Sequence, residues 1–286
     1  MEKINLKKKQ EEGTSVLNML VYGASGAGKT TFASSAADFG KVLIVDAEAG
    51  AQYIGEDRAK NIDLIAMKDI SILDEILIPE NIKEYQTIVL DSVTEIMKKM
   101  VDHIKGSKET ATLQDWGKII VGMETYFRKF RDLNKHVILV AMETEKEDDN
   151  LILKRPSLSG KNLPSDMIGF QDVCMYIENT VQGRVGHVQP TQKFYAKDRT
   201  NKLPAKIEQK DLTVGYVVDK IITPTKPISD RQTEEIKKGM ADLDLDVDQM
   251  KNMFSYGGGT DFKDLNEIGA EKIIKAIELK LAKQDG

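Results

Sequence analysis

The sequence predicts an α/β protein with a mostly parallel central sheet flanked by helices, and a small helical module after it. Three observations predict it. Apolar strand-like runs alternate with longer helical patterns from residue 16 to about 222, as in sheets whose crossovers are helices. "GASGAGKT" (23–30) sits between a strand-like run and a helical one. Residues 229–286 carry only helical patterns.

In chain order, "VLNMLVYG" (16–23) is a strand, "KTTFASSAADFG" (29–40) a helix ending at Gly40, and "KVLIVDAE" (41–48) a strand. "IDLIAM" (62–67) is a further strand, followed by "SILDEIL" on a short helix. "YQTIVLDS" (85–92) is a strand and "VTEIMKKMVDHI" a helix. Residues 113–134 have apolar positions at three- and four-residue spacing and make a long helix. "KHVILVAME" (135–143), "MIGFQDVCMYIE" (167–178), "KFYAKD" (193–198) and "VGYVVDKII" (214–222) read as strands. The expected organisation is an N-terminal tail (1–15), a core (16–222), a linker with two prolines (223–228) and a module over 229–286. In the module, Ser229 and Gln232 form a capping box. It has 13 acidic against 9 basic residues, so most of the chain's net charge of −5 lies there and contact with nucleic acid is disfavoured.

At 41% hydrophobic and 30% charged, the 286-residue chain can bury a sizeable core. Its acidity excludes a wholly basic nucleic-acid binder and leaves such binding to local patches. Cys174 is the single cysteine, so no internal disulfide forms, and a cytoplasmic location is expected. No run resembles a signal peptide or approaches the ~20 apolar residues of a membrane span. The three histidines lack ligand spacing.

The octapeptide matches GxxxxGK[ST], the phosphate loop of nucleoside triphosphatases. Its glycines let the backbone close around phosphates, and the following helix adds its positive end. Gly23, Ala24, Ser25, Gly26, Ala27, Gly28, Lys29, Thr30 and Thr31 are the expected ATP-binding residues. Lys29 would reach the β- and γ-phosphates, and Thr30 would ligate Mg²⁺. "TIVLDS" places Asp91 at a strand's carboxyl end, as the second residue to hold Mg²⁺. Carboxyl ends of parallel strands share one side of the sheet, so Asp46 and Glu48 of "VDAE" face the same nucleotide. Ser92, which follows the Mg²⁺ aspartate, cannot act as a base, so one of these carboxylates is the candidate to deprotonate the attacking water.

These residues resemble the RecA family of recombination ATPases. In that family the strand after the phosphate-loop helix ends in a "DAE"-type motif whose Glu is the catalytic base, which implies Glu48 here, and "LDS" (90–92) is similar to its Mg²⁺ strand. "VILVAMET" (137–144) is similar to the strand bearing a polar γ-phosphate sensor, normally Gln. Glu143 stands there in this chain, a carboxylate that would repel the phosphate. The resemblance implies that 144–166 is a single-stranded-DNA loop, with Lys154, Arg155, Lys161 and Asn162 as contacts. "AKDR" (196–199) is similar to a K-x-R element that enters the neighbouring subunit's ATP site, which implies a homo-oligomer with Lys197 and Arg199 acting in trans. More narrowly, the compact core and helical tail resemble phage-encoded, Sak-type RecA-like proteins that work beside single-strand-annealing and single-strand-binding proteins in recombination. The tail would dock such a partner. Tyr53 could stack on adenine or pack. A non-recombinase assembly or remodelling ATPase of phage replication or DNA packaging is the open alternative. A small-molecule kinase is disfavoured, because 144–166 has one arginine where a phosphate lid needs several.

Overall fold

The computed structural model describes residues 16–48, 50, 54–148, 151–160, 162–222, 228–245, 249 and 267–284. The chain divides into a unit spanning Val16–Ile221 and a second that takes in the residues after it.

The first unit is built on six parallel strands, and the five central ones have apolar runs with little alternation, because both faces of the sheet are covered. These five are β1 (Asn18–Gly23), β2 (Val42–Asp46), β4 (Thr87–Asp91), the first half of β5 (His136–Asp148) and the start of β7 (Val173–Thr180). Every residue of β1, β2 and β4 is buried. β3 (Ile62–Ala66) closes one edge, with Ile62 and Ile65 partly buried and Asp63, Leu64 and Ala66 exposed. The sheet order is β10-β8-β7-β1-β5-β4-β2-β3, with β8 (Gly183–His187) and β10 (Lys206–Glu208) antiparallel at the other edge. The first unit matches the expected fold class: parallel strands in the middle of the sheet, with helices packed on them.

Helix α1 (Lys29–Ser34) leaves β1 and tightens into a 3-10 turn over Ser35–Asp38. Short helices α2 (Glu56–Ala59), α3 (Ile72–Ile76) and α4 (Pro79–Ile82) link β2, β3 and β4. Helices α5 (Val93–Lys105) and α6 (Leu113–Arg131) cover one face. α6 starts at a capping box: the Thr112 hydroxyl accepts from Asp115 N at 3.2 Å, and the Asp115 carboxylate accepts from Thr112 N at 2.9 Å. It buries Ile119, Met123, Phe127 and Phe130 along one stripe.

Four expectations are corrected. Residues 163–170 are helix α7 (Leu163–Phe170), so β7 starts only at Val173. Of 193–198, only β9 (Lys197–Asp198) is a strand, pairing with the start of β7. "VGYVVDKI" is helix α8 (Val214–Ile221): its buried residues, Val214, Val217, Val218 and Ile221, follow the helical period. The segment after Glu143 is not a simple loop, since β5 runs on and pairs antiparallel with β6 (Leu151–Pro156).

In the second unit, α9 (Asp230–Asp242) begins at the Ser229–Gln232 capping box and packs on α10 (Glu267–Gln284) through Ile236, Met240, Ala270, Ile273 and Ile277. Gly239 permits the close approach: a Cβ there would fall 2.3 Å from Ile277 Cγ2. Most of the linker, 223–227, lies outside the described residues.

Phe127 is 1% exposed, whereas Val121 on the same helix is 63% exposed. Phe127→Ala should therefore cost about 3–5 kcal/mol in denaturant unfolding, and Val121→Ala no more than about 0.5 kcal/mol. Equal losses would contradict the assigned face of α6.

Candidate nucleotide site

The loop from Gly23 to Lys29 is shaped by glycine. A Cβ at Gly23 would fall 2.2 Å from the Ile177 carbonyl oxygen, and Gly26 and Gly28 hold φ of 75° and 95°, where side-chain-bearing residues are strained. Ala27 N donates to Ala24 O at 3.2 Å, closing the turn. Lys29 is 7% exposed. Its ammonium donates to Gly23 O at 3.0 Å and Ala24 O at 2.7 Å, back into the loop. Burial lowers its pKa, opposed by Asp91, Glu48 and Glu143.

The register of β2 and β4 sets Asp46 beside Asp91. The two carboxylates have different neighbours. Asp46 Oδ1 accepts from Glu48 N at 3.1 Å and Gly50 N at 3.3 Å, so it holds the turn after β2. Asp91 Oδ2 accepts from the Thr30 hydroxyl at 2.6 Å. Burial pushes the Asp91 carboxyl up to about 6; the Thr30 hydroxyl opposes this, Glu48 and Asp46 add to it, and Lys29 opposes it. Glu48 is exposed, and its Oε1 accepts from the Ser92 hydroxyl across the cis Asp91–Ser92 peptide's strand end. The main chain ties the same strands together through Ala47 N donating to Asp91 O at 2.7 Å. Lys29, Thr30, Asp91 and Glu48 thus converge on one place.

Glu143 follows the parallel part of β5 and opens its antiparallel pairing with β6. Its Oε1 lies 3.4 Å from the Lys154 ammonium on β6, which also donates to the Tyr176 hydroxyl at 2.9 Å. The carboxylate expected to repel a phosphate is therefore ion-paired, and the Lys154 ammonium is engaged inside the protein. Arg155 is half-buried, and its Nε has no hydrogen-bond partner among the described residues. Asn162 is exposed at the start of α7. Lys161 and Tyr53 lie outside the described residues.

Lys197 and Arg199 stand at the opposite end of the sheet, because β9 pairs with the first residues of β7. The Lys197 ammonium donates to the carbonyls of Ile168, Gly169 and Gln171 at 3.0, 2.9 and 2.8 Å. Arg199 donates to Gly169 O at 2.7 Å and pairs with Asp172 at 3.3 Å. Both cap the carbonyl end of α7 within their own chain.

Sequence reasoning missed two groups at the site. Ser92 was set aside because it cannot be a base; its position after the Mg²⁺ aspartate was the available signal for a group that orients one. Asn179 and Arg184, on β7 and β8, reach the phosphate loop from the other side of β1, and no local pattern marks them. A groove of about 540 Å³ also opens beside the loop, lined by Thr30, Thr31, Ser34, Ile54 and Arg58 among others. Arg58 is held by Asp38 at 2.8 and 2.9 Å. A nucleotide with its phosphates on the loop would have this groove for its nucleoside.

The residues present fit Mg²⁺. The described residues hold no cluster of three or more His, Cys, Asp or Glu side chains that would cage a metal. Mg²⁺ in phosphate-loop sites needs only a hydroxyl, a carboxylate, water and substrate oxygens. Thr30 and Asp91 supply the first two, and the raised pKa marks Asp91 as a buried carboxylate short of positive charge.

Residues 15–200 match a family model described as AAA domain. No curated protein matches the chain. Among the solved structures similar to it are the following two. The flagellar accessory protein FlaH from Methanocaldococcus jannaschii aligns with TM-score 0.40 and 10% identity, over 70% of this chain and 88% of its own. A KaiC-like protein from Pyrococcus horikoshii aligns with TM-score 0.35 and 15% identity, over 60% and 77%.

The raised pKa of Asp91 means that the folded state holds its proton more tightly than the unfolded chain does. Stability from this group is present at low pH and lost as pH rises through about 4 to about 6. Asp91→Asn should therefore be more stable than the parent above pH 6 without ligand, by about 1–3 kcal/mol. That difference should shrink toward pH 4 in urea unfolding; a difference independent of pH would contradict the burial of an uncompensated carboxylate.

Proposed function

The chain belongs to the AAA domain family, and we propose that it is a Mg²⁺-dependent ATPase whose hydrolysis is coupled to single-stranded DNA. One observation carries the reading: Thr30–Asp91 and Ser92–Glu48 are hydrogen-bonded pairs at the carboxyl ends of adjacent strands, beside a buried Lys29.

In this mechanism Lys29 exchanges the Gly23 and Ala24 carbonyls for β- and γ-phosphate oxygens. Thr30 and Asp91 would hold Mg²⁺, which when bound neutralises charge on the phosphates. Glu48, oriented by the Ser92 hydroxyl, accepts a proton from water. The water oxygen forms a bond to the γ-phosphorus as the bond to the β–γ bridging oxygen breaks, giving ADP and phosphate. The two amide bonds that Asp46 accepts keep Glu48 aimed.

The coupling to DNA runs through the β5–β6 hairpin. Its base is the Glu143–Lys154 pair, and Arg155, Lys161 and Asn162 follow as DNA contacts. Loss of the γ-phosphate alters the field at Glu143 and so the seating of the hairpin. The protein acts as a homo-oligomer, in which Lys197 and Arg199 leave α7 to reach a neighbour's phosphates. The process served is phage recombination by annealing or strand exchange, with the acidic tail docking a single-strand-binding or annealing protein. One observation favours a second reading, an assembly or remodelling ATPase indifferent to DNA: the Lys154 ammonium is already engaged.

Steady-state ATP hydrolysis with and without single-stranded DNA, at low and moderate salt, separates the readings. Salt-sensitive stimulation is expected, and hydrolysis unmoved by DNA would favour the second. Glu48→Gln should lower kcat by roughly a hundredfold or more while ATP still binds; undiminished turnover would remove Glu48 as the base.

A further inference from the structure

The β7–β8 hairpin approaches the phosphate loop from the side of β1 away from Asp91 and Glu48. In its register Asn179 stands opposite Arg184. The Asn179 side-chain amide donates to Gly26 O at 3.3 Å. The Arg184 side chain lies against Gly28: a Cβ built there would fall 2.7 Å from Nε, 2.8 Å from Cδ and 2.9 Å from Cζ. The guanidinium thus fills space that only glycine leaves open, at a position whose φ of 95° also favours glycine.

The backbone under Arg184 is fixed. Its N–H donates to Gln209 Oε1 at 2.9 Å, and the Thr180 hydroxyl donates to Gly183 O at 2.7 Å across the turn. Among the described residues no carboxylate pairs with the guanidinium. Arg58 pairs with Asp38, Arg128 with Glu124, Arg131 with Asp132, Arg199 with Asp172 and Arg231 with Glu235, while Arg155 on β6, like Arg184, has no carboxylate partner among the described residues. An arginine held over a phosphate-binding loop with no carboxylate partner is an arrangement that phosphate oxygens would complete, since the guanidinium fork matches them.

We propose that Arg184 is a nucleotide-phosphate ligand supplied by the same chain, donating to phosphate oxygens at the Gly28 side of the loop while Asn179 holds Gly26 in place. This rests on the nucleotide reading of the loop. It gives each subunit a cation of its own at the phosphates, independent of Lys197 and Arg199.

The test titrates fluorescent ADP and ATP analogues against the full chain and three variants. Arg184→Met keeps the packing of the stem over Gly28 and removes the charge. It should weaken binding of both nucleotides roughly ten- to hundredfold with an unchanged thermal midpoint, and Arg184→Lys should recover part of the loss. Lys29→Ala should abolish binding, which checks the nucleotide site itself. Parent-like affinity in Arg184→Met beside lost binding in Lys29→Ala would overturn the inference alone; intact binding in Lys29→Ala would overturn the nucleotide reading. Mixing Lys29→Ala with Arg184→Met subunits should give no more ATPase activity than the two separately. Recovery on mixing would place Arg184 in a neighbour's site and overturn its action within the chain.

Discussion

Two carboxylates buried side by side are the constraint on which the rest of the site depends. The parallel register of β2 and β4 puts Asp46 next to Asp91 at the strand ends, 6% and 5% exposed. Like charges in a low-dielectric setting disfavour each other. The chain treats them differently. Asp46 is satisfied by two backbone amides and becomes a structural staple. The Asp91 carboxylate accepts from the Thr30 hydroxyl, and burial pushes it up to about 6. A buried carboxylate with so little positive charge beside it is fit to hold a divalent cation.

From this pair the other assignments follow. The turn stapled by Asp46 carries Glu48 toward Ser92, and Ser92 starts α5, accepting from Glu95 N at 3.3 Å as its cap. A helix cap and the aim of the candidate base therefore share one hydroxyl. At the end of the neighbouring β5, Glu143 meets the Lys154 ammonium, so the sheet, the hairpin and the site are joined through one ion pair. The same pair removes the repulsion that a carboxylate would otherwise present to a phosphate.

The parallel core was legible because buried strands such as "VLIVD" and "TIVLD" are apolar almost throughout and end in charge. The phosphate loop was legible because its glycines and lysine are contiguous. What was not legible depends on the third dimension. "VGYVVDKII" is rich in β-branched residues, and only packing against Ser35, which accepts from Val214 N at 2.7 Å, shows that its buried positions follow a helix. Strands β6, β8 and β10 are short or charged, and their pairing partners define them. The Glu48–Ser92 bond joins residues 44 apart, and Arg184 meets Gly28 only after the chain has crossed the sheet. Lys197 and Arg199 matched a motif by spacing; their carbonyl partners on α7 could not be read from it.

The central claim is that phosphates bind this loop and draw the surrounding groups together. Backbone hydrogen exchange on Glu48→Gln protein, with and without Mg²⁺ and ATP, tests it most directly. The account predicts slowed exchange at residues 23–31, at the turn after β2 and at Asp91–Ser92, with little change in α9 and α10. Exchange at residues 23–31 that is indifferent to ATP, or protection confined to the helical tail, would contradict it.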